Sequence, residues 1–320
     1  MATRHLLLLA HIGYLLILGI VVVSTTAETT EHTLEAGDVE SDGKSAVCQN
    51  NPNETTSKIN AIDQAFGRSE VTDFVILIDR TNSISPKAFE NTKETITALM
   101  KYLSRRHLVR LHDDYTRVTV VSFGAQSTVE FDGIRGDSGP VHACNFHDKL
   151  ARIELGTTGR DDDMNSMNHA LKAAKTTFES SSRKEASKIL WIFYDGEDDF
   201  SVTEKAAREL KAQDVTVFSV GVGGKKGVGW MDTVERENNV KSLAASRYHY
   251  SCCEHWTAII RNAIATDGTS TGEAGRALYA VDNTYKGGPC ASCPHSQRCV
   301  CDVTNRQYTC TGERSCMTTH

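Results

Sequence analysis

Two short oxygen-rich stretches in this sequence each follow an apolar run. The first is Asp79-Arg80-Thr81-Asn82-Ser83, in which one carboxylate and two hydroxyls alternate along a single tight loop. The second is Asp195-Gly196-Glu197. Carboxylate and hydroxyl oxygens are hard donors of the kind Mg²⁺ prefers, an ion that takes few protein ligands and keeps several waters. Two carboxylates on neighbouring strand ends would make a cation site, and Asp79, Thr81, Ser83 and Asp195 are its candidate ligands. The further acids Glu197, Asp198 and Asp199 read as solvated.

The elements that must position these groups are legible around them. Residues 74–78 and 187–194 have the length and branched apolar content of strands buried on both faces, and each run stops at its Asp. Ser85 and Pro86 then suit the N-cap and first turn of a helix. Phe89, Ile96, Met100 and Leu103 mark one face of that helix, which the basic run Arg105, Arg106, His107 breaks. Strands follow at 117–123 and 127–131, so close together that they must be antiparallel neighbours. A helix carries Met164, Met167, Leu171, Ala174 and Phe178 on one face, and another covers 203–212. Further strands at 215–222 and near 247–251 precede a helix with Trp256, Ile259, Ile260 and Ala263 on one side. Such alternation predicts an α/β fold: a doubly wound, mostly parallel sheet with one antiparallel edge strand and helices on both faces. In such sheets ligands gather beyond the carboxyl ends of the strands, where both Asp residues fall.

The run DFVILIDRTNS resembles the first motif of the von Willebrand factor type A domain, whose metal-ion-dependent adhesion site begins D-x-S-x-S; Thr81 replaces the first serine and keeps its hydroxyl. Asp195-Gly196 after a strand resembles the family's third metal motif. The resemblance covers about residues 70–266. The family's middle motif, G-G-x-T-x-T, departs here to Gly156-Thr157-Thr158-Gly159. Letter matching selects Thr157 or Thr158 for the missing ligand, whereas counting back from Ala170 and Leu171 selects Asn165. Asp161, Asp162 and Asp163 offer a carboxylate there or cap the following helix. The resemblance implies a Rossmann-like fold and a non-enzymatic adhesion or matrix-binding module, whose bound Mg²⁺, or Mn²⁺ or Ca²⁺, receives an acidic side chain from an extracellular protein partner. The alternative is the same fold with a degenerate, metal-free site. A metal-dependent phosphohydrolase is disfavoured: no second Asp follows two residues after Asp79, and no G-x-S-x-G or phosphate-binding glycine loop occurs.

Outside this domain the sequence predicts a secreted chain. Arg4 and His5 precede an apolar run at 6–23 that ends in small residues, so 1–27 reads as a cleaved signal peptide; an uncleaved anchor is the alternative. With the signal removed, no membrane span is expected. Residues 28–69 are expected to form an acidic, largely disordered leader. Asn53-Glu54-Thr55 is a glycosylation sequon. A formal charge of −6 without a basic face argues against nucleic acid. All ten cysteines lie after the signal segment, which in a secreted chain reads as disulfides. Cys290, Cys293, Cys299, Cys301, Cys310 and Cys316 crowd the last 31 residues, so 290–320 should be a small disulfide-rich module, EGF-like in its C-x-C-x8-C spacing, after a linker at 267–289. The family resemblance pairs Cys144 with Cys252 or Cys253 and leaves Cys48 for the other. Arg135-Gly136-Asp137 matches the tripeptide that integrins read, in a glycine-rich turn.

Overall fold

The computed structural model describes residues 52–111, 114–136, 143–156, 166–181, 183–197, 200–223, 233–266, 278–281, 297–302 and 307–313. The chain divides into two compact units, 1–44 and 45–320, and every described residue belongs to the second. The signal segment, Cys48, Cys290, Cys293 and Cys316 lie outside the described residues.

Strand β1 (Thr72–Asp79) is buried along its whole length. Its side chains alternate between two cores: Phe74, Ile76 and Ile78 enter one, Val75 and Leu77 the other. That two-sided burial explains why it reads as a continuous apolar run, since both sheet faces are covered by helices. The sheet also contains β2 (Thr116–Phe123), β3 (Ser127–Asp132), β4 (Ser187–Tyr194), β5 (Val215–Gly221) and β6 (Tyr250–Cys252), in the order β3-β2-β1-β4-β5-β6. All neighbours run parallel except β2 and β3, so β3 is the antiparallel edge.

One face is covered by α1 (Pro52–Phe66), α2 (Pro86–Arg105), α3 (Ala143–Arg152) and α7 (Cys253–Thr266). The other is covered by α4 (Ser166–Ser180), α5 (Phe200–Ala212) and α6 (Thr233–Leu243). Aromatic rings fill the first core: Trp191 stacks on Phe218 at 4.8 Å between centroids and meets Trp256 at 5.3 Å. Helix α2 ends at Arg105, and His107 turns the chain in the left-handed region at φ 57°.

The leader expected at 28–69 is corrected at its C-terminal part, where α1 is a packed helix. Ile62, Ala65 and Phe66 are buried, with Ile59 and Ala61 on the same side. These few apolar residues share a helical face, and a mostly polar composition concealed them. Lys58 Nζ donates to Tyr250 O at 2.7 Å, and Tyr102 Oη donates to Asp63 Oδ1 at 2.6 Å, fixing the helix to the domain. Asn53 of the sequon lies in the first turn of α1. Helices α3 and α6 add to the expected pattern; among the described side chains of α6, Val240 and Leu243 are the buried apolar ones.

Towards the C-terminus β7 (Leu278–Val281), β8 (Gln297–Asp302) and β9 (Gln307–Glu313) form an antiparallel sheet. Strand β7 falls inside the stretch expected to be linker. Cys299 stands opposite Cys310 in the register, and Cys301 opposite Tyr308.

Burial of His147 on α3 pushes its pKa down to about 4. Above pH ~6.5 the ring is neutral in folded and unfolded chains alike; below it the unfolded chain takes a proton that the folded chain refuses. Stability is therefore expected to fall by up to about 3 kcal/mol as pH drops from ~6.5 to ~4. Urea titrations across this range should show a slope that His147→Gln flattens.

Candidate metal centre

Strands β1 and β4 are parallel neighbours, with Ile78 opposite Phe193. Asp79 therefore ends β1 level with Tyr194, and Asp195 lies one residue further along. The chain winds outward from β1 through β2 to β3 on one side and from β4 through β5 to β6 on the other. Both Asp residues thus sit at the switch point of the sheet, where the diverging connections leave a crevice.

The first loop is built by its own side chains. Thr81 donates to Asp79 Oδ1 twice, from its backbone N at 2.9 Å and from Oγ1 at 2.7 Å. Thr81 Oγ1 also lies 2.6 Å from Ser83 Oγ, so the three side chains form one hydrogen-bonded row. Asp79 and Thr81 are 1% and 2% exposed, and Ser83 is half-buried. Beyond them Ile84 is fully buried, and Ser85 caps α2 by accepting from Ala88 N at 3.1 Å. The fold thus brings Asp79, Thr81 and Ser83 together, with Thr81 oriented by its hydroxyl as a serine would be.

The second loop is braced from α6. Asp195 is 5% exposed, and its Oδ1 accepts from Glu197 N at 3.1 Å. Gly196 adopts φ +85°, and a Cβ there would lie 2.6 Å from Arg236 O. Asn239 Nδ2 donates to Gly196 O at 3.1 Å, and the Arg236 guanidinium pairs with Glu197. The expectation that Glu197 is solvated is corrected: its side chain is 15% exposed and ion-paired, because α6 packs over the turn. Asp198 and Asp199 lie outside the described residues. Gly196→Ala combines a left-handed backbone with a backbone clash, so it is expected to cost at least about 2 kcal/mol in chemical denaturation.

The middle stretch begins beside the first loop. Gly156 N donates to Arg80 O at 2.8 Å, and a Cβ on Gly156 would stand 2.6 Å from that oxygen. Helix α4 begins at Ser166. Thr157, Thr158, Asp161, Asp162, Asp163 and Asn165 lie outside the described residues. The Arg80 side chain runs past Gly124 towards Glu130, 4.0 Å away, tying this loop to the β2–β3 hairpin.

An all-oxygen set of two buried carboxylates and two hydroxyls fits a hard divalent cation. Burying two like charges at adjacent strand ends is costly, and a cation bound between them would offset that cost. Among the described residues no group of three or more His, Cys, Asp or Glu is placed to hold a metal. The donor set thus depends on Thr81 and Ser83 as well as on the acids.

Cysteine and tripeptide expectations fare differently. Cys252 is disulfide-bonded, whereas Cys253, expected in a bridge, is a free thiol. It is buried as the first residue of α7, 3.0 Å from Thr95 Oγ1, and burial pushes its pKa up to about 11. Arg135 of the tripeptide is held by Ser180 Oγ at 3.2 Å and Asp132 Oδ2 at 3.6 Å, and Gly136 has φ +82°. Asp137 lies outside the described residues.

The model of the von Willebrand factor type A domain matches residues 73–278. No curated protein matches the chain. Solved structures of similar fold include the manganese-loaded TRAP protein of Plasmodium vivax, at 19% identity over 61% of this chain and 74% of that one, with TM-score 0.43. Another is proximal thread matrix protein 1 from the mussel byssus with a zinc-occupied MIDAS motif, at 17% identity over 61% of this chain and 45% of that one, with TM-score 0.47. A third is the pilus adhesin SpaC of Lactobacillus rhamnosus GG, at 12% identity over 62% of this chain and 31% of that one, with TM-score 0.46. The chain spans less than half of the mussel protein and less than a third of the bacterial adhesin.

Proposed function

Because the chain belongs to the von Willebrand factor type A domain family, we propose that it is a secreted adhesion or matrix-binding protein whose domain recognises an extracellular protein through a divalent cation held at the β1–β4 switch point. The observation that carries this reading is the convergence there of two buried carboxylates with the hydrogen-bonded Thr81 and Ser83 hydroxyls. Asp79, Thr81, Ser83 and Asp195 would hold the ion, with a further oxygen from Thr157, Thr158 or Asn165. A bound Mg²⁺ or Mn²⁺ supplies an open coordination position that attracts a carboxylate oxygen of the partner. Thr81 fixes the Asp79 carboxylate through two hydrogen bonds to Oδ1, and α6 keeps the Asp195 turn in place through Arg236 and Asn239. The hydroxyls add no negative charge beyond the two carboxylates, so a carboxylate entering the open coordination position meets no third anionic protein ligand.

Secretion is supported by the apolar run at 6–23 and by the ten cysteines. No helix among the described residues is long and apolar enough to cross a membrane. The engagement of Arg135 within the domain gives the integrin tripeptide no part in this reading.

Binding of the purified protein to immobilised matrix extract tests the proposal. Retention that needs Mg²⁺ and is reversed by EDTA, without hydrolysis of p-nitrophenyl phosphate, is the expected result; EDTA-insensitive retention would favour a metal-free interaction module, and hydrolysis an enzyme.

A further inference from the structure

We propose that the partner of Cys252 is Cys48, so that a disulfide ties the segment ahead of α1 to the edge strand β6. Cys252 is bridged and its neighbour Cys253 is not. Cys48 and Cys144, the candidates outside the C-terminal tail, are separated by the elements next to them in the chain.

Cys144 sits in the first turn of α3. That helix lies beside the other edge of the sheet: the Phe146 ring is 6.4 Å from that of Phe131 in β3, and Lys149 Nζ is 5.4 Å from the Phe131 ring. Strands β3 and β6 are the two ends of the six-stranded order. Five strand-to-strand steps of ~4.8 Å put these edges about 24 Å apart. A disulfide needs Cα atoms within about 7 Å. In the C-terminal sheet β8, which carries Cys299 and Cys301, packs against α3, and β7 packs against α2.

The start of α1, four residues after Cys48, lies at the other edge. Helix α1 lies along the 3₁₀ turn Arg247–His249 and the start of β6. Lys58 Nζ donates to the carbonyl of Tyr250, two residues before Cys252, and Glu54 pairs with Lys58 at 3.9 Å one turn nearer the start of the helix. Lys58 stands six residues into a helix that begins at Pro52, about 9 Å along its axis. From Pro52 the four-residue stretch back to Cys48 spans up to about 14 Å. That reach covers β6 and falls well short of α3.

The chemistry closes with a disulfide donor such as oxidised glutathione. The thiolate of one cysteine displaces one glutathione thiol, the other cysteine displaces the second, and the two electrons and two protons leave on the departing thiols. Cys253 stays outside this exchange, because a buried thiol that holds its proton is a poor nucleophile.

Tryptic mapping of unreduced, deglycosylated protein reads the connectivity directly. Peptide 248–261, which contains both Cys252 and Cys253, should appear joined to 45–58, which contains Cys48. The joined species should persist in Cys253→Ser and vanish in Cys252→Ser. In Cys48→Ser, alkylation of the denatured, unreduced chain should label one more thiol on 248–261 than in wild type. Finding 248–261 joined to 136–149, the peptide of Cys144, or to a tail peptide, or carrying two free thiols, would overturn the proposal.

Discussion

Replacing Asp79 with alanine is expected to weaken Mg²⁺ or Mn²⁺ binding by at least about 100-fold while leaving the domain folded. The carboxylate is one of two at the switch point, and the Thr81 hydroxyl is oriented through it, so its loss removes a ligand and disorganises a second. The fold does not depend on it in the same way. Asp79 is 1% exposed, and without a cation its charge is a burden on the folded state. Melting temperature in EDTA should therefore be unchanged or higher in the variant. The rise in melting temperature that Mn²⁺ gives the wild-type chain should be absent. Thr81→Ser, which keeps the hydroxyl, should bind the ion within about threefold of wild type, whereas Thr81→Val should not.

At the opposite end of β1 the largest stability effect is expected from Arg183→Ala, about 3–5 kcal/mol. Arg183 pairs with Asp73, which is fully buried, and donates to Tyr115 O at 2.8 Å and Thr72 O at 3.0 Å. Truncating it strands a buried carboxylate whose other oxygen accepts from Ser181 Oγ. It also leaves two backbone carbonyls without that donor. An ion pair of this kind is costly to break from one side and cheap to replace whole. The double variant Asp73→Ala/Arg183→Met should thus recover most of the loss in urea denaturation. Because these residues lie at the amino end of the strand, cation affinity per folded molecule should not change.

The parts of this fold that the sequence disclosed are those where local pattern and tertiary role coincide. Strands β1 and β4 are buried on both faces, so their apolar runs are continuous and their ends abrupt; the two Asp residues could be placed from that alone. Helix α2 was legible because Ser85, Pro86 and a broad apolar face agree. Helix α1 was hidden because few of its residues are apolar, and its stability comes from packing and from contacts made at long range, such as Lys58 with Tyr250. Helix α6 was hidden for the same reason, and with it the support that Arg236 and Asn239 give the second loop. No local signal marks Arg236 as a partner of Glu197, 39 residues earlier; only Gly196, needed for its left-handed turn, hinted that something packs close there. The vicinal cysteines are equivalent in sequence. Their different fates follow from the start of α7, which turns Cys253 into the core and leaves Cys252 on the edge strand.

The central claim, that the switch point holds a divalent cation, is tested most directly by calorimetric titration of the purified chain with Mn²⁺ after removal of metal by chelator. Saturable binding at one site per chain, competed by Mg²⁺ and lost in both Asp79→Ala and Asp195→Ala, is the predicted result. No saturable heat with wild-type protein, or binding that survives both substitutions, would contradict it.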